Sequence, residues 1–511
     1  MNNSLQTKGY NGSLIAVCLA ALMFGFEISS VPVSLPVIEK ELQGNFKDIQ
    51  WIMNAYTIAC CTVLMAAGTL ADKYGRKRIF IYNVILFGIT SLICGLAQNM
   101  PILIISRFLQ GLSGGAMFIC TIANLSNQFP DAKERAKAFS VWGVIVGVGL
   151  GFGPIIGSAI MTELNWRWIF LIHVPLSLIT LLFGYRFIRE SKDSNAQKLD
   201  IGGIILLAIA IFSLTYFIIQ SPDAGFSSFK MIGVLLCSVA SFIIFIWIEK
   251  KSSYPMFDFS VFKINTFSGA IMGSIGMNFS FWPFIIYLPI LFQTGFGYSV
   301  IFTGICLLAY TLPSLVVPPL AEYLTLRYKA KVVIPTGLFL IGAGFLLMRY
   351  GCIIESASWK TLLGGMLVAG IGLGLTNTPV TNTATGSVSN DRVGMASGID
   401  TSARLITLAI NIAVMGLILI NGIFHNIKSF VPGHVSHAEL HTLAERIISG
   451  NNILITKIGV SAGHIKMVLV DAFSNVLLYG GLGVWGLSIC SFTLFRLKKT
   501  DKTIQNYPVI N

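Results

Sequence analysis

Charge is what this chain lacks. Of its 511 residues only 11% are Asp, Glu, Lys or Arg, less than half of the roughly 25% that coats an ordinary soluble domain. That shortage excludes a soluble globular enzyme. It equally excludes a disordered chain, which needs high charge and few apolar residues. Acid is scarcer than base, 22 Asp and Glu against 35 Lys and Arg, for a formal net charge of +13. In a soluble protein such an excess would point to nucleic acid. No run here interleaves basic and aromatic residues, so no nucleic-acid partner is expected. A cysteine framework is also missing: the nine cysteines lie in or beside apolar blocks with no CxxC pair, which excludes a disulfide scaffold and a cysteine metal site. They read as small buried hydrophobes. No small-residue cleavage site follows the polar start MNNSLQTKGYNGS, so the first apolar block reads as a retained span and not a cleaved leader.

What is present is apolar length. Hydrophobic residues make up 54% of the chain and mean hydropathy is +0.77. They fall in continuous blocks of about 20 residues, enough to cross a bilayer as a helix. Continuity, without alternation, excludes a transmembrane β-barrel. The blocks predict fourteen helices centred near residues 24, 58, 88, 112, 148, 178, 210, 239, 279, 310, 341, 369, 408 and 482. Basic residues collect after even-numbered spans: Lys73 and Arg76–Arg78; Arg186, Arg189, Lys192 and Lys198; Lys250, Lys251 and Lys263; Arg327, Lys329 and Lys331; and Arg496, Lys498, Lys499 and Lys502. The positive-inside rule places these loops and both termini in the cytoplasm. The expected class is an all-α polytopic membrane protein. Residues 1–190 form one six-helix bundle, 191–260 an inserted helix pair, and 261–511 a second six-helix bundle with a long outer loop at about 423–467. Paired bundles with a binding site between them are a common transporter plan.

Between the second and third spans lies Gly68-Thr69-Leu70-Ala71-Asp72-Lys73-Tyr74-Gly75-Arg76-Lys77-Arg78. Glycines permit a tight turn, and an acid among bases can form an ion pair that one conformation holds and another breaks. By charge alone, a plain topogenic loop accounts for it as well. The stretch resembles the major facilitator superfamily, whose loop here reads G-x-L-x-D-R-x-G-R-K/R. Gly68, Asp72, Gly75, Arg76 and Lys77 fall in register, and Lys73 replaces an arginine. The resemblance implies a conformational latch. In the matching loop of the second half, Leu326 stands in the acid's place and Lys329 in that of the second glycine, so any latch there should be weaker.

In the fourth span, Arg107-Phe108-Leu109-Gln110-Gly111-Leu112-Ser113-Gly114-Gly115 sets a guanidinium inside an apolar helix, at a cost of at least about 2.5–3.5 kcal/mol. It either serves a function or is held structurally on backbone carbonyls. R-F-x-Q-G-x-x-G-G resembles the superfamily's fourth-helix motif, which implies a part in proton coupling. The fifth span carries two stripes of small residues, Gly143, Gly147, Gly151 and Gly149, Gly153, Gly157, with Pro154 between. Such spacing lets helices approach closely and Pro154 removes a backbone donor. Close packing alone explains both stripes. The second also resembles the antiporter motif G-x-x-x-G-P-x-x-G-G, with Ser158 for the last glycine, and implies export.

The first span holds Phe26-Glu27-Ile28-Ser29-Ser30-Val31-Pro32-Val33-Ser34-Leu35-Pro36. At 1.5 Å per residue Glu27 lies roughly 12 Å from the outer end and Arg107 near 9 Å, so the two form an ion pair if their helices are neighbours. Moving one against the other changes the proton affinity of the carboxylate; a static structural pair is the plainer reading. The segment is similar to L-D-x-T-I-V-N-V-A-L-P of fourteen-span drug:proton antiporters, with Glu27 for Asp, Ser29 for Thr and Pro32 for Asn. Trp51 and Tyr56 fit that branch's second helix, and Trp166 to Pro175 resembles W-R-x-x-F-x-x-N-x-P, with His173 for Asn. In the thirteenth span Asp400 and Arg404 share a helix face. Asn54, Asn124, Asn278, Asn377 and Asn382 are further polar candidates for a cavity, each also explained by a helix–helix hydrogen bond. The outer loop carries His425, His434, His437, His441 and His464, a set suited to metal or pH sensing, or simply solvated.

The resemblance implies a fold of two rocking six-helix bundles plus two inserted helices, working as a monomer in the plasma membrane, specifically a bacterial inner membrane. Its partners are a small-molecule substrate, protons and the lipid bilayer, with no metal and no organic cofactor. Glu27 and Arg107 are expected to couple protons, Gly68, Asp72, Gly75, Arg76 and Lys77 to form the latch, and Gly149, Gly153, Pro154 and Gly157 the antiporter-motif helix. Asn54, Asn124, Asn278, Asn377, Asp400 and Arg404 are expected in the cavity. Expected activity is proton-coupled export of drug-like compounds. A siderophore or metabolite exporter, an uptake symporter, and a non-transporting receptor or assembly factor are the alternatives.

Overall fold

A computed structural model describes residues 2–129, 131–192, 200–252, 257–354, 356–388, 392–428, 437–448 and 462–496. The helices of the first group are α1 (Asn2–Glu41), α2 (Phe46–Tyr74), α3 (Arg76–Gly95), α4 (Met100–Gln128), α5 (Ala132–Glu163), α6 (Arg167–Leu171) and α7 (His173–Phe187). A pair follows, α8 (Ile201–Ala224) and α9 (Phe229–Lys251). The last group is α10 (Asn265–Phe279), α11 (Phe281–Ile290), α12 (Val300–Thr311), α13 (Pro313–Val316), α14 (Pro318–Tyr328), α15 (Ala330–Ile353), α16 (Trp359–Gly386), α17 (Val393–Ile427), α18 (His437–Ile448) and α19 (Ala462–Arg496). Among the described residues twelve helices are long and apolar enough to cross a bilayer, and two bent pairs bring the number to fourteen. Every expected span centre falls in one of them.

Short polar residues set where helices begin. Asn45 caps α2, accepting from the Asp48 N–H while Asp48 accepts in return; Asn99 caps α4; Ser228 caps α9; Ser299 caps α12. Each cap satisfies a backbone donor that the first helical turn leaves open. α6 and α7 together make the sixth span, Arg167–Phe187, and Ile172 between them keeps helical backbone angles. The outer loop is shorter than expected: α17 runs on to Ile427 and α19 starts at Ala462. Ile423, Phe424 and Ile427 are buried, as is Ile465, and that burial holds these turns helical. His425 and His464 therefore lie on helices. His434, Lys198, Lys498, Lys499 and Lys502 fall outside the described residues, as do the side chains of His437 and His441.

The end that carries Asp72–Arg78 is called here the basic end, and the opposite one the far end. Within the first group α1 packs on α5 and α7, and α2 and α3 pack on α4; in the last group α15 packs on α16 and α19. The inserted pair leans on both groups through α8, which touches α2 and α17. Trp51 of α2 meets Phe212 and Tyr216 of α8 at ring separations of 5.4 and 6.2 Å. Hydrogen bonds joining the two groups cluster from mid-span to the far end. Gln50 donates to the Tyr287 hydroxyl at 3.2 Å and to the Ile412 carbonyl at 3.1 Å, and Gln293 to the Val33 carbonyl at 3.0 Å. Lys47 also meets Glu445 of α18 at 3.3 Å.

The basic-end turns of the two halves share a backbone shape but not a residue type. Gly75 has φ +119°, and Lys329, between α14 and α15, has φ +69°. A side chain at such φ costs of order 1–3 kcal/mol. Lys329→Gly should therefore raise the thermal melting temperature of the purified protein, and Gly75→Ala should lower it by the equivalent of about 1–3 kcal/mol. Equal melting of Lys329→Gly and the parent would mean that the turn is unstrained.

Candidate functional site

Glu27 of α1 and Arg107 of α4 have no exposed surface, and Arg107 Nη1 donates to Glu27 Oε1. The depth match expected from their sequence positions is thus realised as an ion pair inside the first bundle. The rest of the guanidinium is closely held. Its Nε donates to the Ile52 carbonyl at 3.2 Å, Nη1 also donates to Gln110 Oε1 at 2.6 Å, and its carbon lies 4.2 Å from the Tyr56 ring centre. Gln110 passes the network on by donating to the Ser91 hydroxyl at 2.8 Å. The other carboxylate oxygen of Glu27 faces His173, whose Nε2 is 2.7 Å away. His173 enters the sequence only as a substitution for Asn in a motif, and nothing local signals that α7 turns it toward Glu27.

The second half holds a similar centre. Arg404 pairs with Asp400 on the same face of α17, donating to its carboxylate at 3.1–3.2 Å. It also donates to Asn377 Oδ1 at 2.6 Å and to Thr381 Oγ1 at 2.8 Å, both on α16. Ser274 of α10 donates to Asp400. The two charges thus neutralise each other locally and are bound by two neighbouring helices, with Arg404 keeping 17% of its side-chain surface exposed against 3% for Asp400. Thr381 and Ser274 were not legible as members, because hydroxyl residues recur throughout the spans.

The asparagines separate. Asn377 belongs to the Arg404 centre. Asn278 donates to the Ser274 carbonyl one turn before it. Asn54 is fully buried, and neither of its side-chain atoms has a hydrogen-bond partner. It shares a face of α2 with Gln50 and Cys61, both of which reach α17. Asn382 is exposed. Asn124 corrects the expectation of a cavity residue: it donates to the carbonyls of Arg76, at 3.2 Å, and Cys120, at 2.8 Å. That ties α4 to the basic loop, because its place on α4 is close to the basic end.

The loop itself is anchored within the first bundle. Asp72 accepts from Arg76 at 2.8 Å across the Gly75 turn. Glu190, just beyond α7, accepts from the backbone N–H of Lys77 at 3.0 Å and of Arg78 at 3.1 Å, an anion on the open N-terminus of α3. Lys77 Nζ donates to the Tyr185 carbonyl at 2.6 Å. Gly68 lies near Ile119 of α4. Glu190 was missed because its target is distant in sequence.

The two glycine stripes of α5 face different partners. A Cβ on Gly149 would stand 3.0 Å from backbone atoms of Leu22 and Phe26, and one on Gly157 would stand 2.9 Å from Ser30; Gly153 abuts Ser29, whose hydroxyl donates to the Gly149 carbonyl at 2.8 Å. This stripe sits on α1. Gly147 and Gly151 face Leu315, and Thr311 of α12 donates to the Gly151 carbonyl at 2.7 Å, so the other stripe meets the opposite bundle. A Cβ on Gly143 would meet nothing within 4 Å. Among the described residues no group of three His, Cys, Asp or Glu is placed to hold a metal ion.

Fourteen apolar spans, an ion pair among the helices of each half and a glycine-packed helix between the halves are the architecture of a membrane transporter. A sequence profile of the Major Facilitator Superfamily matches residues 17–302 and 270–427, and the chain belongs to that superfamily. It is 31% identical over 441 residues to the multidrug resistance protein Stp of Mycobacterium tuberculosis, covering 86% of this chain and 82% of Stp. It is 30% identical to the quinolone resistance protein NorB of Staphylococcus aureus, covering 80% and 89%. It is 28% identical to the tetracenomycin C resistance and export protein of Streptomyces glaucescens, covering 80% and 75%. Among solved structures it resembles a D-xylose-proton symporter, with a TM-score of 0.59 at 13% identity over 88% of this chain and 97% of the other. It also resembles a proton-dependent oligopeptide transporter, with a TM-score of 0.59 at 12% identity over 95% and 98%.

Breaking a buried ion pair from one side leaves an uncompensated charge and costs about 3–5 kcal/mol, whereas removing both charges costs far less. Arg107→Met should therefore depress thermal melting strongly, and adding Glu27→Gln should recover most of the loss. A double variant melting no higher than Arg107→Met would show that the pair is not what holds these helices.

Proposed function

We propose that the chain exports small, drug-like organic molecules in exchange for protons. The observation that carries this reading is the wholly buried Glu27–Arg107 pair. A carboxylate out of water is tolerated because a cation faces it. Protonation removes its charge and leaves Arg107 without its counterion, so the packing of α1 against α4 favoured by the charged pair is no longer the one favoured by the neutral acid. A proton thereby shifts the balance between two arrangements of the bundle, and it does so only through its different affinity for them. The names of the relatives, all resistance or export proteins, support the outward direction and the substrate class.

The other residues take roles around that pair. Gly149, Gly153, Pro154 and Gly157 make α5 a close-packed pivot on α1, while its second stripe slides on α12 and α13. Gly68, Asp72, Gly75, Arg76 and Lys77 form the latch, with Glu190 as its anchor. Asn54, Asn278, Asn377, Asp400 and Arg404 line the path between the bundles. The basic loops support a reading with the basic end and both termini in the cytoplasm, the membrane being a bacterial inner membrane. The far end, tied by Gln50, Tyr287 and Gln293, is then the closed outer gate, and a single chain is the working unit. No cofactor is called for, since the proton gradient supplies the energy.

In everted vesicles, a quinolone or another compound that stabilises the purified protein should discharge an imposed proton gradient. Glu27→Gln should reduce that discharge at least about tenfold, within the range that loss of a proton-transfer group produces. Undiminished discharge by Glu27→Gln would remove Glu27 from the coupling mechanism.

A further inference from the structure

His173 is one of the buried polar side chains left without a hydrogen bond, and the one that stands against Glu27. Its surface is wholly covered, and neither ring nitrogen makes a hydrogen bond, although buried polar groups are nearly always paired. Its ring lies between Phe87, stacked at 5.4 Å, and Phe26 at 5.7 Å. Nε2 is 2.7 Å from Glu27 Oε2, within hydrogen-bond distance, while the oxygen stands off the ring's N–H axis. Two lone pairs cannot face each other at that separation, so with Glu27 charged the hydrogen sits on Nε2. Neutral imidazole carries one N–H, and Nδ1 is then a bare acceptor. The titratable and charged groups around the site are Glu27 on α1, Tyr56 on α2, Cys94 on α3 and Arg107 on α4. Arg107 already occupies the other oxygen of Glu27.

We infer that His173 is the relay through which the transported proton reaches and leaves Glu27, an inference that rests on the coupling role proposed for that carboxylate. A proton binds Nδ1 as the ring rotates onto the N–H axis, and the hydrogen on Nε2 passes to Glu27 Oε2. The imidazole ends neutral with its hydrogen on Nδ1, and the carboxyl ends neutral. Arg107 keeps its charge without a counterion, so the three groups gain one proton and one positive charge. Release is the reverse. His173 follows Ile172, whose backbone stays helical, inside the single span Arg167–Phe187, so the ring comes into or out of line by turning about its own side-chain bonds. An asparagine here would still donate to Glu27 but has no second nitrogen that can take up a proton.

The test needs no substrate. Purified protein in detergent is subjected to an acid jump, and proton uptake is followed with the soluble pH dye pyranine. The parent should take up one proton that Glu27→Gln does not. His173→Asn, which preserves a donor for orienting Glu27, should take up the same proton at least about tenfold more slowly, and His173→Gln should behave likewise. Parent-like uptake rates in a folded His173→Asn or His173→Gln would overturn the relay and leave Glu27 in place. Uptake by Glu27→Gln equal to the parent's would overturn the carboxylate's role itself. Infrared difference spectra of the unmodified protein give a second reading. Acidification should raise a carboxylic C=O band together with a shift of the imidazole ring bands, and a carboxylic band rising alone would sink the relay without any variant.

Discussion

Two charges out of water must find each other, and in this chain that requirement fixes where the helices of the first bundle can stand. Glu27 and Arg107 lie 80 residues apart on α1 and α4 with no exposed surface. Neither helix can rotate without stranding a charge in an apolar interior, which costs several kcal/mol. Gln110, Tyr56 and the Ile52 carbonyl complete the shell from α4 and α2, so three helices are oriented by one guanidinium. The second bundle repeats the device with Arg404 and Asp400 but leaves it less enclosed. One bundle thus holds a sealed charge pair and the other a pair whose guanidinium keeps some exposed surface.

Around these fixed points the helices meet through small residues. α5 is the clearest case, because its two glycine stripes serve two different relationships. One seats it on α1 through Ser29 and Ser30, within its own bundle. The other touches Leu315 and Thr311 across the seam. On the α1 side the small residues bring backbones together, and on the other they leave room for the Leu315 side chain.

Much of this was legible in the chain itself. Apolar blocks of bilayer length specify helices whatever their neighbours, and all fourteen span centres lie in helices. The Glu27–Arg107 pair could be read from matched depth, and Asp400–Arg404 from helical spacing. What was not legible depends on how helices are turned against one another. Glu190 reaches the start of α3 from beyond α7, Ser274 and Thr381 converge on the Asp400–Arg404 pair from two helices, and His173 meets Glu27 only because the sixth span turns that face toward α1. Asn124 shows the opposite failure, a buried polar residue whose depth along α4 assigns it to the basic loop and not to a cavity. Lys329 belongs to the same class, since a positive φ is written in the chain path and not in the residue.

The inserted helix pair gives the molecule a flank unlike the other. α8 lies across the line where α2 meets α17, with Trp51 set against Phe212 and Tyr216. On that side the seam between bundles is roofed by protein. On the other side α5 meets α12 and α13 directly through its second glycine stripe. A compound arriving sideways from the bilayer would therefore meet the body of α8 on one flank and the glycine-faced helix on the other.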